Sequence, residues 1–222
     1  MNKIVLIIFS IAVIYFTGCK KDSPISKNSP TLSDNYWPVT TGSTWTYSEK
    51  DANDNNIYSN TIKLLGDTSM INGKPYYNIT VTAPATATPI FGYLREDSHL
   101  YKLREVAKAG DIALEYQILI DTAAAGYTWT ATTNETGNYA GVPSRVISKI
   151  VEKGITKTIN GKTFDKVIHT QTQLQFLSQG TTYNDAEMHD FYFAKGIGMI
   201  EDIESNQGTV LYTRDLSDYT IK

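Results

Sequence analysis

The sequence predicts an all-β protein, built as an antiparallel curved sheet that forms an open barrel or a sandwich. Aromatic residues make up 11% of the chain, with 15 tyrosines, and they stand among many Thr, Val and Ile, a composition typical of strands. Turn signals recur about every 8–15 residues, as in sandwiches and barrels. We find no long stretch in which apolar residues recur with the helical period.

The first half of the folded region predicts six strands, near residues 42–47, 58–65, 77–82, 91–95, 99–103 and 112–120. Trp45 and Tyr47 share one strand face, because successive side chains point to opposite faces. Asn72-Gly73 predicts a two-residue hairpin of type I′, since both residues tolerate a positive φ. The last strand has the longest alternation and is expected to bury one whole face, made of Ile112, Leu114, Tyr116, Ile118 and Ile120.

The second half is predicted to be organised in the same way. It begins at Gly126-x-x-Trp129, and a second hairpin is expected at Asn160-Gly161. Separate strands are predicted at residues 145–152 and 155–159 on one side of that hairpin. The later strands are expected at 164–175, 190–193, 199–203, 209–213 and near Tyr219.

Short motifs recur in the same order in residues 36–105 and 124–222. A duplicated sheet explains this order, and so does the reuse of common turns and aromatic strands. Both explanations stay open, and either is consistent with the prediction of one domain spanning residues 36–222. The matching elements are Trp45 and Trp129, Asn72-Gly73 and Asn160-Gly161, and Phe91-x-Tyr93 and Phe191-x-Phe193.

Residues 1–18 predict a lipoprotein signal peptide. A basic start precedes an apolar run, Ile4–Phe16, which is too short to span a bilayer and leads into Thr17-Gly18-Cys19. This order resembles the lipobox of bacterial lipoproteins, with Phe16 where Leu is usual. The resemblance implies that Cys19 carries a thioether-linked lipid and fatty acids such as palmitate, so that it anchors the chain to a membrane.

Residues 19–35 predict a disordered tether, since they are polar and contain almost no apolar side chain. A flexible chain of this length reaches roughly 20–24 Å from the membrane. Lys20 resembles an outer-membrane address, because Asp after the lipidated cysteine is typical of retention in the inner membrane. Lys20-Lys21-Asp22 also resembles signals for export to the cell surface. The side of the outer membrane, periplasmic or surface-exposed, stays open.

Three motifs of the folded region resemble a family. Tyr36-Trp37-Pro38, Gly42-x-x-Trp45-x-Tyr47 and Phe193-Ala-Lys-Gly-x-Gly198-x-Ile200 are together similar to uncharacterised outer-membrane lipoproteins of Gram-negative bacteria of the Bacteroidota type. The motifs consist of turn glycines and core aromatics and contain no catalytic residue. The resemblance therefore implies a fold type and a location, and it implies no activity.

Charge and cysteine content exclude several classes of protein. The net charge is −3, and the basic residues are dispersed, so the chain has no basic stripe for nucleic acid or anionic lipid. Because Cys19 is the single cysteine, no intramolecular disulfide can form and a hydrophobic core must stabilise the domain. The chain is predicted to associate with a membrane through lipidated Cys19. The other partner is a small molecule, a glycan or an envelope protein.

The sequence predicts no metal site and no cofactor. Residues 51–62 have the oxygen spacing of a calcium loop, but they lack its glycine at position six and its glutamate at position twelve. Glu187-Met188-His189-Asp190 offers one or two ligands, whereas zinc sites usually need three or four. A polar strand end explains this run without a metal.

The function predicted from the sequence is a non-enzymatic outer-membrane lipoprotein with a binding or structural role. One alternative is a carrier or sensor of an apolar ligand in a half-open barrel, lined by Tyr77, Tyr116, Trp129 and Phe193; these side chains could equally close a dry core. A second alternative is a hydrolase with a dispersed site, because a triad can assemble in space without a Gly-x-Ser-x-Gly elbow. Such an elbow is absent from the sequence.

Overall fold

A computed structural model describes residues 34–53, 57–83, 90–105, 113–178 and 180–222. The signal peptide, Cys19 and nearly all of the tether lie outside the described residues, so their predictions are not tested here. Ile112, the first residue of the long alternating strand, also lies outside them. No helix of the described residues is long and apolar enough to cross a membrane.

The described residues form 13 strands and no helix. Their bounds are β1 Thr44–Asp51, β2 Ile57–Ile71, β3 Lys74–Thr82, β4 Ile90–Asp97, β5 Leu100–Glu105, β6 Leu114–Ile120, β7 Thr128–Thr132, β8 Asn138–Tyr139, β9 Val142–Ile159, β10 Lys162–Ser178, β11 Thr182–Ala194, β12 Gly198–Asn206 and β13 Thr209–Thr220.

All strands belong to one antiparallel system that is nearly closed into a barrel. The order is β6-β5-β4-β3-β2-β1-β13-β12-β11-β10-β9-β7, and β8 pairs with β9. The first and last strands of the chain are neighbours, since Trp45 of β1 lies opposite Tyr219 of β13. The all-β prediction is confirmed, and a nearly closed barrel replaces the alternative of a sandwich.

The remaining seam lies between the edge strands β6 and β7. At one point a backbone bond crosses it, from Glu115 N to Thr133 O at 2.6 Å. Elsewhere side chains of β9 reach the carbonyls beside it: Ser148 donates to Gln117 O at 3.0 Å, and Lys153 donates to Asp121 O at 2.6 Å. These bonds satisfy backbone acceptors that an open sheet edge would expose.

The strand directions define two ends of the barrel. At one end, which we call the tether end, lie the described start of the chain and the turns after β2, β4, β9 and β11. At the opposite end, the far end, lie the last residues of β1, β3, β5, β10 and β12. The protein chain therefore enters the barrel at the tether end.

Aromatic side chains close the tether end. Trp37 and Trp45 are fully buried and meet edge-on, with ring centroids 6.0 Å apart. Trp37 also contacts Phe193 at 5.9 Å, and Tyr36 N donates to Tyr101 Oη at 3.0 Å. The Tyr-Trp-Pro motif of the sequence is thus the segment that fills this end as the chain enters.

The long strand β9 corrects one prediction. Residues 145–152 and 155–159, predicted as two strands, form the single strand β9. Gly154 within it has φ +76°, and the register with β10 shifts near this point. A bulge lets the strand continue past a glycine that sequence analysis treats as a break.

Both Asn-Gly hairpins are confirmed. Asn72 and Gly73 have φ of 51° and 71°, and Asn160 and Gly161 have φ of 48° and 76°. Ile71 pairs with Lys74 across the first turn, so the loop has two residues with positive φ, as type I′ requires.

Replacement of Gly73 by Val is expected to lower the free energy of unfolding by about 1 kcal/mol or more. A Cβ at this position would meet nothing within 4 Å, so the cost is backbone strain at φ +71° rather than a clash. Urea denaturation measures it. Lys74→Val, in the adjoining exposed strand position, is the control, and an equal loss in both variants would contradict the turn assignment.

Candidate functional site

Charged side chains line the inner face of the barrel toward its far end. On β1 the inner face runs from Trp45 and Tyr47, both buried, to Glu49. On β11 it runs from Phe193 and Phe191 to residues 189 and 187. Because strand side chains alternate, each of these strands carries core aromatics near the tether end and charge near the far end. The charged cluster comprises Glu49, Glu187, His189, Asp202, Glu204 and Arg214.

Arg214 of β13 joins three carboxylates from two neighbouring strands. Its Nε donates to Glu49 at 2.5 Å, its Nη1 to Asp202 at 2.6 Å and its Nη2 to Glu204 at 3.1 Å. The pairing across β12 and β13 places residue 202 directly opposite Arg214. The guanidinium presents several N–H donors in a fixed fork, which suits donation to three carboxylates, and these carboxylates raise the pKa of Arg214 despite its burial.

His189 of β11 lies between two acidic side chains. Its Nδ1 faces Asp202 at 2.8 Å, and its Nε2 faces Glu187 at 2.5 Å. The imidazole stacks on Phe191 with centroids 4.9 Å apart. Tyr116 of β6 donates to Glu187 at 2.9 Å, which connects the cluster to the other half of the barrel.

The cluster shifts the pKa values of its members in opposite directions. Burial alone would lower the pKa of His189, but Asp202 and Glu187 outweigh it and raise that pKa to about 10. Burial would raise the pKa of Asp202, but His189 and Arg214 outweigh it and lower that pKa. Burial raises the pKa of Glu204, which Arg214 only partly offsets.

Exposure within the cluster increases toward the far end. The Asp202 side chain is 5% exposed, whereas that of Glu187 is 32% exposed. Four carboxylates face two cations, so the described cluster keeps a formal charge of −2 even when His189 is protonated. An acidic group of this kind favours a cationic ligand over an anionic one.

The four residues predicted to line an apolar site belong to one hydrophobic core or pack against it, and they differ in their ring contacts. Tyr116 and Phe193 are buried and are linked through the rings of His189 and Phe191. Trp129 is buried beside the seam and stacks on Tyr127 instead. Tyr77 is half-buried and packs against the same hydrophobic core. Their role as a ligand site stays a prediction.

Two surface depressions of the described structure are lined by other residues. The larger, about 700 Å³, is lined by Arg104, Ala113, Asn134, Glu135, Thr136, Asn138 and Gly141. The smaller, about 120 Å³, is lined by Leu65, Asp67, Ser69, Asn78, Gly92 and Tyr93. Neither includes a member of the charged cluster or of the predicted aromatic set.

Each of the three histidines faces a carboxylate rather than a nucleophile. His99 contacts Asp121 at 2.8 Å, His169 contacts Asp190 at 2.7 Å, and His189 contacts Asp202. In the part of the chain that the structure describes, no hydroxyl group hydrogen-bonds to a histidine. The pairing of nucleophile and base that a serine hydrolase needs is therefore not formed among these residues.

Glu49, Asp202, Glu204 and Arg214 are not among the predicted site residues, and Glu187 and His189 belong to a run predicted to be a polar strand end. The alternation of side chains along the strands contained a signal of the charged cluster. Glu187 and His189 lie on the same strand face as Phe191, and Glu49 lies on that of Tyr47, so a buried face continued into charge.

Solved structures share the fold of this chain. One is a "putative lipoprotein" from Parabacteroides distasonis, 10% identical, with a TM-score of 0.50 over 85% of this chain and 99% of that chain. Another is a "putative exported protein" with a YmcC-like fold from Bacteroides fragilis, 10% identical, with a TM-score of 0.50 over 85% of this chain and 100% of that chain. No protein-family model and no curated protein matches. At this identity the similarity shows the fold alone.

Proposed function

We propose that the protein is an outer-membrane lipoprotein, anchored through Cys19, that binds a cationic ligand or partner at the far end of its barrel and catalyses no reaction. One observation carries this proposal. The described chain begins at the aromatic tether end of the barrel, while the charged cluster lies toward the opposite end, where its net negative charge is accessible to a cationic ligand.

Two further observations support it. One protein with the same fold bears the name of a lipoprotein and the other that of an exported protein, which agrees with the signal peptide predicted for this sequence and with its resemblance to a lipobox. The three histidines engage carboxylates, which favours binding over nucleophilic hydrolysis. The acidic balance of the cluster favours a positively charged ligand.

The anchoring is tested by replacing Cys19 with Ser in the full chain. The variant is expected to lose fatty-acid labelling and to move from the membrane fraction to the soluble fraction, because a lipid anchor supplies the membrane affinity. Ser23→Ala, in the same segment, is the control and should stay on the membrane. Unchanged membrane association of Cys19→Ser would reject the lipoprotein assignment.

A further inference from the structure

We propose that Glu187, His189 and Glu204 bind one divalent metal ion of the zinc class. This inference rests on the proposed function in one respect, the charged cluster as the binding site. Their ligand atoms lie within 4.8 Å of one another, because His189 and Glu204 are directly opposite in the pairing of β11 with β12. Ligands of a tetrahedral zinc lie about 3.4 Å apart, so small side-chain rotations complete the site.

The orientation of His189 is that of a metal-binding histidine. Its Nδ1 faces the buried Asp202 at 2.8 Å, so Nε2 is the ring nitrogen directed toward Glu187. A carboxylate on the far nitrogen of the ring is the usual partner of a histidine that ligates zinc. Asp202 is itself held by Arg214, so the ring is positioned from outside the ligand set.

Each of the two glutamates keeps one carboxylate oxygen for a metal. Tyr116 and His189 both use Oε1 of Glu187, and Arg214 uses Oε2 of Glu204. Among the described residues, Oε2 of Glu187 and Oε1 of Glu204 make no hydrogen bond. The neighbours therefore orient the two carboxylates without occupying all of their oxygens.

The negative charge of the cluster also favours binding of a cation. Four carboxylates with Arg214 and a protonated His189 leave a formal charge of −2. Uncompensated charge in a partly buried site is unfavourable, so a divalent ion held by the glutamates relieves the repulsion among the carboxylates.

The ligand types select the class of metal. One imidazole nitrogen with two carboxylates suits Zn²⁺, Mn²⁺ or Co²⁺, whereas Ca²⁺ and Mg²⁺ prefer oxygen ligands alone. A set of three protein ligands leaves the fourth tetrahedral position of a zinc ion open, and Glu187, the most exposed carboxylate of the set, makes the site accessible to solvent. A solvent molecule or a group of a bound partner can fill the fourth position.

Equilibrium dialysis tests the site in the full chain carrying Cys19→Ser, which removes the one thiol of the sequence. We expect one Zn²⁺ per chain with a micromolar dissociation constant and at least tenfold weaker binding of Ca²⁺. Glu204→Gln, which keeps the shape of the side chain, and His189→Gln are each expected to weaken Zn²⁺ binding at least tenfold. Asp190→Asn, on the opposite face of β11, should leave it unchanged.

Thermal unfolding of the same samples gives the second readout. Zn²⁺ is expected to raise the melting temperatures of the parent chain and of Asp190→Asn, and to leave the melting temperature of Glu204→Gln unchanged. A cooperative unfolding transition in each sample also shows that the variant is folded. Equal Zn²⁺ binding by parent and Glu204→Gln, equal affinity for Ca²⁺, or no binding at all would each overturn the site. Such a result would not affect the prediction that Cys19→Ser is released from the membrane. Conversely, retention of Cys19→Ser on the membrane would reject the lipid anchor without contradicting the metal site.

Discussion

Replacement of Arg214 by Met is expected to destabilise the protein by about 3–5 kcal/mol at pH 7. The guanidinium is the shared partner of Glu49, Asp202 and Glu204. Met fills much of the same volume but leaves the three carboxylates facing one another, and an uncompensated buried charge costs more than the ion pair contributes. Chemical denaturation monitored by tryptophan fluorescence measures the loss.

The destabilisation of Arg214→Met should shrink as the pH falls from 7 to 4. Loss of the guanidinium raises the folded-state pKa of Asp202 from its lowered value and moves that of Glu204 further above its unfolded value. Ionisation of these groups therefore stabilises the variant less than the parent, and the difference shrinks as they are protonated. Arg145→Met is the control, since that side chain stacks on Tyr183 and, among the described residues, forms a side-chain hydrogen bond with Gln175 and no ion pair with a carboxylate. A loss that does not depend on pH would contradict the electrostatic cause.

Local patterns predict most of the strands. The alternation in residues 77–82 and the two Asn-Gly turns determine strand faces and hairpin register directly, since they act between neighbours in sequence. Other two-residue turns carry weaker signals: Gln207-Gly208 has φ of 48° and 80°, and Ser98-His99 has φ of 49° and 78°. Ser98 gives no such signal, and His99 gives a weak one, because histidine is enriched among non-glycine residues with positive φ.

Closure of the barrel is not predictable from such patterns. The pairing of Thr44 with Thr220 joins the two ends of the folded chain, and alternation gives no partner for a strand that far away. The seam depends on single side chains, such as Lys153 on the Asp121 carbonyl. Their role exists only once the strands are placed.

The charged cluster could be predicted in part from the sequence. Each contributing strand continues an apolar face into charge, as in Tyr47 followed by Glu49 and Phe191 preceded by His189. That pattern predicts an inner face whose polarity changes along the barrel. It does not show that Asp202 and Arg214 meet His189, because this depends on the register of β11, β12 and β13.

Replacement of Trp45 by Ala is expected to destabilise the protein by about 3–5 kcal/mol. Trp45 is fully buried, packs edge-on against Trp37 and donates from Nε1 to the carbonyl of Ile197 at 2.6 Å. Its indole also lies over Gly198, where an added Cβ would come within 2.9 Å of Nε1. The truncation removes this packing at the entry of the chain and leaves a cavity that the surrounding strands cannot collapse to fill.

A pair of milder variants separates the hydrogen bond from the packing. Trp45→Phe and Trp129→Phe remove similar volume from buried positions, but Nε1 of Trp129 has no hydrogen-bond partner among the described residues, whereas Nε1 of Trp45 has the carbonyl of Ile197. Trp45→Phe leaves that carbonyl without its partner and should therefore cost about 1–3 kcal/mol more than Trp129→Phe. Denaturant midpoints of the two variants measure the difference. Equal midpoints would mean that the indole stabilises the tether end by its volume alone.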